Sequence, residues 1–149
     1  MVYAGFWRRL LAYLLDVLPI VLLTAGFFYL LLGFDLTLQA YMEERTVESR
    51  IRFLAQRNHI RDLSFLLWII YSMVLEASPL QGTIGKVLCG IMVVDEAGRR
   101  LGPGQSVRRN FAKLASYLPL GLGFVWAAFS KTKRAWHDSA ARTYVIRLQ

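Results

Sequence analysis

The sequence predicts an all-α integral membrane protein, with two full transmembrane helices, a third short hydrophobic helix and a small cytoplasmic β element. Three observations lead there. The 149 residues are 56% hydrophobic and the mean hydropathy is +0.40, whereas a soluble domain is about 45–50% apolar. The chain carries a formal net charge of +8. Its charges lie between three apolar runs. A nucleic-acid-binding domain would also be basic, but it would not hold such runs, so no nucleic-acid partner is expected.

Residues 10–32 form a 23-residue run whose single charge is Asp16. About 20 such residues cross a bilayer as a helix. Arg8 and Arg9 precede the run, as in a signal peptide. The run is too long for one, however, carries an acid and lacks a small-residue cleavage site after it, so it reads as a retained span. Residues 63–80 form a second run of 18, with the single acid Glu76. The third, residues 114–129, has 16 residues and no charge. It contains Pro119, Gly121 and Gly123, which weaken a straight helix. It is either a third crossing or a re-entrant helix.

Charge counts bear on that choice. Arg8 and Arg9 flank the first run; the outer loop, residues 34–62, holds five arginines and five acids. The inner loop, residues 81–113, holds six bases and two acids, and the tail, 130–149, five bases and Asp138. Basic residues collect on the cytoplasmic side. That places the N-terminus and the 81–113 loop in the cytoplasm of a multi-pass plasma-membrane protein. A re-entrant third segment keeps the basic tail there too, and it is the favoured reading.

Between the runs, Val47, Ile51 and Leu54 have helical spacing, and Glu48 and Arg52 stand at i,i+4. An amphipathic outer helix is expected. Ile91 to Val94 and Thr143 to Ile146 are β-prone, and Asp95 to Gly98 is turn chemistry; the two short strands are expected to pair. Ser106 is the expected N-cap of a helix whose apolar face is Val107, Phe111, Leu114 and Leu118. Its cations Arg108, Arg109 and Lys113, with Lys131, Lys133 and Arg134 of the tail, are expected to face anionic lipid headgroups.

Asp16 is the most informative residue. It lies ~9 Å into its run at 1.5 Å per residue, where an acid costs up to about 2.5–3.5 kcal/mol on insertion scales. Glu76 lies at a similar depth on a helix running the other way. One polar pocket is expected to hold both acids, with Arg9, Tyr13, Lys86 and Arg109 as neutralising or bridging groups. Cys89, His59 and His137 have no metal-ligand spacing, so no metal site is expected. Gly82-Thr83-Ile84-Gly85-Lys86 is not a phosphate loop: Leu80 stands where its first glycine is required, and no Ser or Thr follows Lys86. His137 beside Asp138 reads either as a proton site or, more commonly, as a local hydrogen-bond anchor.

Three stretches together resemble the RDD family. Arg8-Arg9 followed by Asp16 is similar to the family's opening. Gly82-Thr83-Ile84-Gly85-Lys86 leading into residues 90–98 resembles its central segment, although Ile84 stands where proline is often found. Arg109-Asn110, Trp136-His137-Asp138 and Thr143-Tyr144-Val145 resemble its closing segment. The resemblance implies a multi-pass membrane protein with Arg9, Asp16 and Asp138 as signature charges, and no cofactor. It implies transport for some members. Two functions are therefore expected in competition. One is a small, homo-oligomeric ion- or proton-coupled transporter using Asp16. The other is a non-catalytic adaptor that binds anionic lipid or an unidentified cytoplasmic partner. No catalytic constellation points to an enzyme.

Overall fold

A computed structural model describes residues 1–117, 122–130 and 132–148. The chain is mostly helical and divides into two compact units, one of residues 1–16 and 69–149, the other of residues 17–68. Helix α1 (Phe6–Leu31) and helix α3 (Val47–Ala77) each contribute to both.

At about 1.5 Å per residue, α1 is ~39 Å long, enough for a hydrocarbon core of about 30 Å. By length and composition it is the one helix among the described residues able to cross a membrane. Pro19 lies inside it and removes one backbone donor, yet the helix continues. Residues 47–62 are not separate from the second apolar run. With no Gly or Pro between them, residues 47–77 form one continuous helix, which stops just before Pro79, as expected ahead of a proline. Its apolar part, residues 63–77, is then 15 residues, or ~22 Å. The helix ends three residues short of the expected 63–80 run.

In the smaller unit, helix α2 (Phe34–Glu43) follows α1 through Gly33, whose φ of 68° is left-handed. The Thr46 hydroxyl accepts the Ser49 N–H at 3.1 Å and caps the start of α3. Phe53 stacks with Tyr41 and Phe34, at ring distances of 4.4 and 5.9 Å. The Glu48–Arg52 ion pair forms at 2.6 Å. The Val47, Ile51 and Leu54 stripe is exposed.

The larger unit is built on an antiparallel pair, β1 (Ile91–Asp95) with β2 (Thr143–Arg147), in the register Val93 opposite Val145. Tyr3 bridges to Ile146 beside it, and the Ala4 N–H reaches the Val145 carbonyl at 2.9 Å. N-terminal segment, inner loop and tail thus share one small core of Ala4, Ala12, Ile91, Val93, Leu101 and Val145. Short helix α4 (Ile84–Leu88) leads into β1.

Helix α5 (Pro103–Tyr117) begins three residues before Ser106, because proline suits the first helical position. Ser106 is therefore not the N-cap; it is buried and its hydroxyl donates to the Met73 carbonyl at 2.8 Å. Helices α6 (Leu122–Phe129) and α7 (Trp136–Ala140) both pack against α5. Leu118 of the expected apolar face, and Pro119 and Gly121 of the third apolar run, lie outside the described residues.

Candidate functional site

Along their apolar stretches both long helices bury polar positions in a mixed stripe and expose large apolar side chains. On α1 the buried residues Ala12, Asp16, Thr24 and Phe28 fall in a stripe at intervals of four or eight, while Leu11, Leu18, Leu22 and Leu30 are exposed. On α3, Ile60, Ser64, Trp68, Ser72 and Glu76 are buried at the same spacing, while Leu66, Ile70 and Val74 are exposed. Residues four apart share a helix face. Water favours the opposite arrangement, because exposing apolar surface costs about 25 cal/mol per Å².

α5 repeats the inversion. Arg109, Asn110 and Lys113 are 1%, 0% and 3% exposed, whereas Val107, Phe111 and Leu114 point outward. This corrects the expectation that Arg109 and Lys113 meet lipid headgroups. Val107, Phe111 and Leu114 of the expected apolar face form the outer side of α5. Periodicity identifies two faces of a helix but does not say which is turned inward.

The buried polar faces converge on three carboxylates in the larger unit. Asp16 accepts three neutral donors: the Thr83 hydroxyl at 2.5 Å, the Gly85 N–H at 2.8 Å and the Tyr71 hydroxyl at 2.9 Å. The Tyr71 oxygen in turn accepts the Ile84 N–H at 2.9 Å. The Gly82–Lys86 segment, rejected as a phosphate loop, is thus a clasp around an aspartate.

Glu76 is the centre of the second cluster. Lys86 pairs with its Oε1, Arg109 Nη1 lies 2.6 Å and Lys113 Nζ 3.3 Å from the same oxygen, and Asn110 donates to Oε2 at 3.0 Å. The Arg109–Glu76 contact is an ion contact whose N–H is not aligned for a hydrogen bond. Asp138 is the third carboxylate. Arg9 donates to Oδ2, Arg109 donates to Oδ1 from Nε at 3.1 Å and Nη2 at 2.7 Å, and the Ala135 N–H reaches Oδ2 at 3.1 Å. Arg109 joins the two clusters, a geometry that its planar fork of donors permits.

Arg9 therefore pairs with Asp138, 129 residues away, and its second nitrogen donates to the Lys133 carbonyl at 2.6 Å. Tyr13 is half-buried, and the group found on Asp16 is Tyr71. Tyr71 and Thr83 were not singled out from the sequence. The signal available was a hydroxyl within the second apolar run and another in the glycine-rich segment.

Of the remaining expected headgroup-facing cations, Arg108 is exposed and donates to the Ala141 carbonyl at 3.0 Å. Lys133 and Arg134 are half-buried and used internally. The first donates to the Ala128 carbonyl at 3.1 Å; the second reaches the Thr143 carbonyl and lies 4.3 Å over the Tyr144 ring. Lys131 lies outside the described residues.

Burial and charge act against one another in this network. Burial pushes the Asp138 carboxyl up, but Arg9, then Arg109, hold it well below the usual carboxylate range. The Arg109 guanidinium, which burial alone would lower, is raised by Glu76 and Asp138. The Lys86 amine is lowered, by burial first, against the opposing pull of Glu76. Lys113 is lowered to about 7, by burial and by the like charges of Lys86 and Arg109. Burial also drops His137 to about 3. At neutral pH it is an uncharged ring against Phe124, with centroids 4.9 Å apart. That favours an anchor over a proton site.

Comparison with known proteins bears on the whole chain. The RDD family model matches residues 3–142. The uncharacterized protein YxaI of Bacillus subtilis (strain 168) is 30% identical over 147 residues, covering 96% of each chain. No solved structure matches.

Proposed function

The chain belongs to the RDD family, and on that premise we propose that it is a multi-pass plasma-membrane protein acting as a small, oligomeric ion- or proton-coupled permeation element rather than an enzyme. The observation that carries the reading is an inversion along its apolar helical stretches: Asp16, Glu76, Arg109 and Lys113 are buried while leucine, valine and phenylalanine of the same helices face outward. Ionisable groups inside a membrane protein typically face the interior and line ion or proton pathways.

Pairing of the tail with the N-terminal segment, through Tyr3 with Ile146 and Arg9 with Asp138, supports one side for both. The positive-inside bias makes that side cytoplasmic. With the packing of α6 against α5, it favours the second apolar run as a crossing and the third segment as re-entrant. A chain this small encloses little volume, so a symmetric assembly is needed for a pathway.

A second reading is a membrane adaptor. Among the described residues of the larger unit, Arg8, Arg99, Arg100, Arg108, Arg142 and Arg147 are exposed against the single exposed acid Glu96, a surface suited to anionic lipid. The three carboxylates, each held by protein donors, would then serve only to lock helices together. Cation and proton flux into liposomes separates the two, with wild type beside Asp16→Asn and Glu76→Gln. Flux lost in folded variants is the expected result. Wild-type liposomes that hold sodium, potassium and pH gradients unchanged would overturn permeation and leave the adaptor.

A further inference from the structure

We propose that Lys113 is a reversible proton-binding site, the cation of the Glu76 cluster that gives up its charge. The inference rests on how the charges are distributed. Arg9, Lys86, Arg109 and Lys113 are gathered with Glu76 and Asp138 through direct ion pairs, and Asp16 acts on Lys86 through space. Among the described residues, four cations then stand against three carboxylates. Leaving one charge uncompensated in a buried site is costly, and releasing one proton balances the set at three against three.

Geometry says which cation releases it. Arg9 and Arg109 do not deprotonate in proteins. Three cations crowd the single oxygen Glu76 Oε1, and among them Lys113 lies farthest, at 3.3 Å. Its closer contact is to a neutral acceptor, Asn110 Oδ1, at 2.6 Å. Asn110 also donates to Glu76 Oε2 and to the Ser106 carbonyl at 2.9 Å, so the amide is oriented independently of the lysine.

Among the described residues, charged and titratable groups from several elements bear on the Lys113 proton. Glu76 of α3 retains it; Lys86 of α4 and Arg109 of α5 repel it. From α7, His137 is uncharged and Asp138 is already committed to Arg9 and Arg109. Helix α6 has no titratable side chain in its sequence. The resulting shift of Lys113 to about 7 agrees with the charge balance. A proton on Lys113 would hold Glu76 through three cations; its loss leaves Lys86, Arg109 and Asn110 in place. This site stands apart from the permeation reading, because proton binding is measured without any flux.

The chain has four lysines, at positions 86, 113, 131 and 133, so lysine labelled with carbon-13 gives four side-chain Cε signals in the intact protein in nanodiscs. The experiment follows them from acid to alkaline pH. One signal is expected to titrate near 7, to vanish in Lys113→Arg and to persist in Lys86→Arg. If Lys113→Arg does not fold, persistence in both Lys86→Arg and the Lys131→Arg/Lys133→Arg double variant gives the same assignment. The proposal is overturned if every signal titrates near the ordinary lysine value of about 10.4. It is overturned equally if the neutral-range signal belongs to one of the other three lysines.

Discussion

The backbone of Gly85 presses against Asp16, donating its N–H to Oδ1 at 2.8 Å. A Cβ at position 85 would lie 2.3 Å from the Ala12 carbonyl oxygen and 2.9 Å from the Asp16 carboxyl carbon, contacts no real side chain makes. Gly85→Ala is therefore expected to push α4 off α1 and break the clasp. Overpacking of this kind costs about 1–3 kcal/mol. A lowered melting temperature in detergent checks it; an unchanged one would mean that α4 sits farther from α1 than the structure has it.

Arg109 spans Glu76 and Asp138 from a fully buried position. Arg109→Met leaves two carboxylates short of a partner and is expected to destabilise by about 3–5 kcal/mol, as for other broken buried ion pairs. Arg109→Lys cannot reproduce a fork reaching two carboxylates and is expected to recover only part of that. Melting curves of the two variants side by side test the order.

Stability should rise with alkaline pH. In the unfolded chain Lys113 has its ordinary value, 10.5, and in the fold about 7. Between these values the unfolded state binds more protons, so the contribution grows as pH rises and is lost as pH falls through 7, by up to about 1.4 kcal/mol per pH unit. The wild-type minus Lys113→Met difference in melting temperature, followed from pH 7 upward, should show this slope.

Acid should act through His137. Its value falls from 6.5 unfolded to about 3 folded because it is buried. Its contribution is fully present above 6.5 and is lost as pH drops toward 3. In His137→Phe, which keeps an aromatic ring beside Phe124, the loss of stability between those values should be shallower than in wild type.

Tail and N-terminus should be joined covalently by one pair of cysteines. Tyr3 and Ile146 sit opposite one another across a β-bridge, a spacing within reach of a disulfide. Tyr3→Cys with Ile146→Cys, on a Cys89→Ser background, should cross-link within one chain on oxidation. Failure to do so, or labelling of the two cysteines from opposite faces of a vesicle by a membrane-impermeant reagent, would argue against a tail on the N-terminal side.

Much of this was legible in the sequence, because hydropathy and charge are local properties. The first apolar run, the two β-prone segments and the polar anomalies Asp16, Glu76 and Asp138 are visible residue by residue. So is the family resemblance that the match over residues 3–142 bears out. Where the second helix begins and ends is legible only in part: hydropathy marks residues 63–80, while the helix follows backbone continuity from Val47 to Ala77.

Tertiary structure alone decided which charge meets which. Arg9 is seven residues from Asp16 on the same helix, yet it binds Asp138, brought to it by the β1–β2 pair and α7. Asp16 is held by hydroxyls and an amide from two other segments. Helical spacing divided α5 into an apolar and a basic face, but only the acids supplied by α3 and α7 turn Arg109 and Lys113 inward. An ion pair is made between side chains distant in sequence, so its partners depend on the assembled fold and not on the residues beside them.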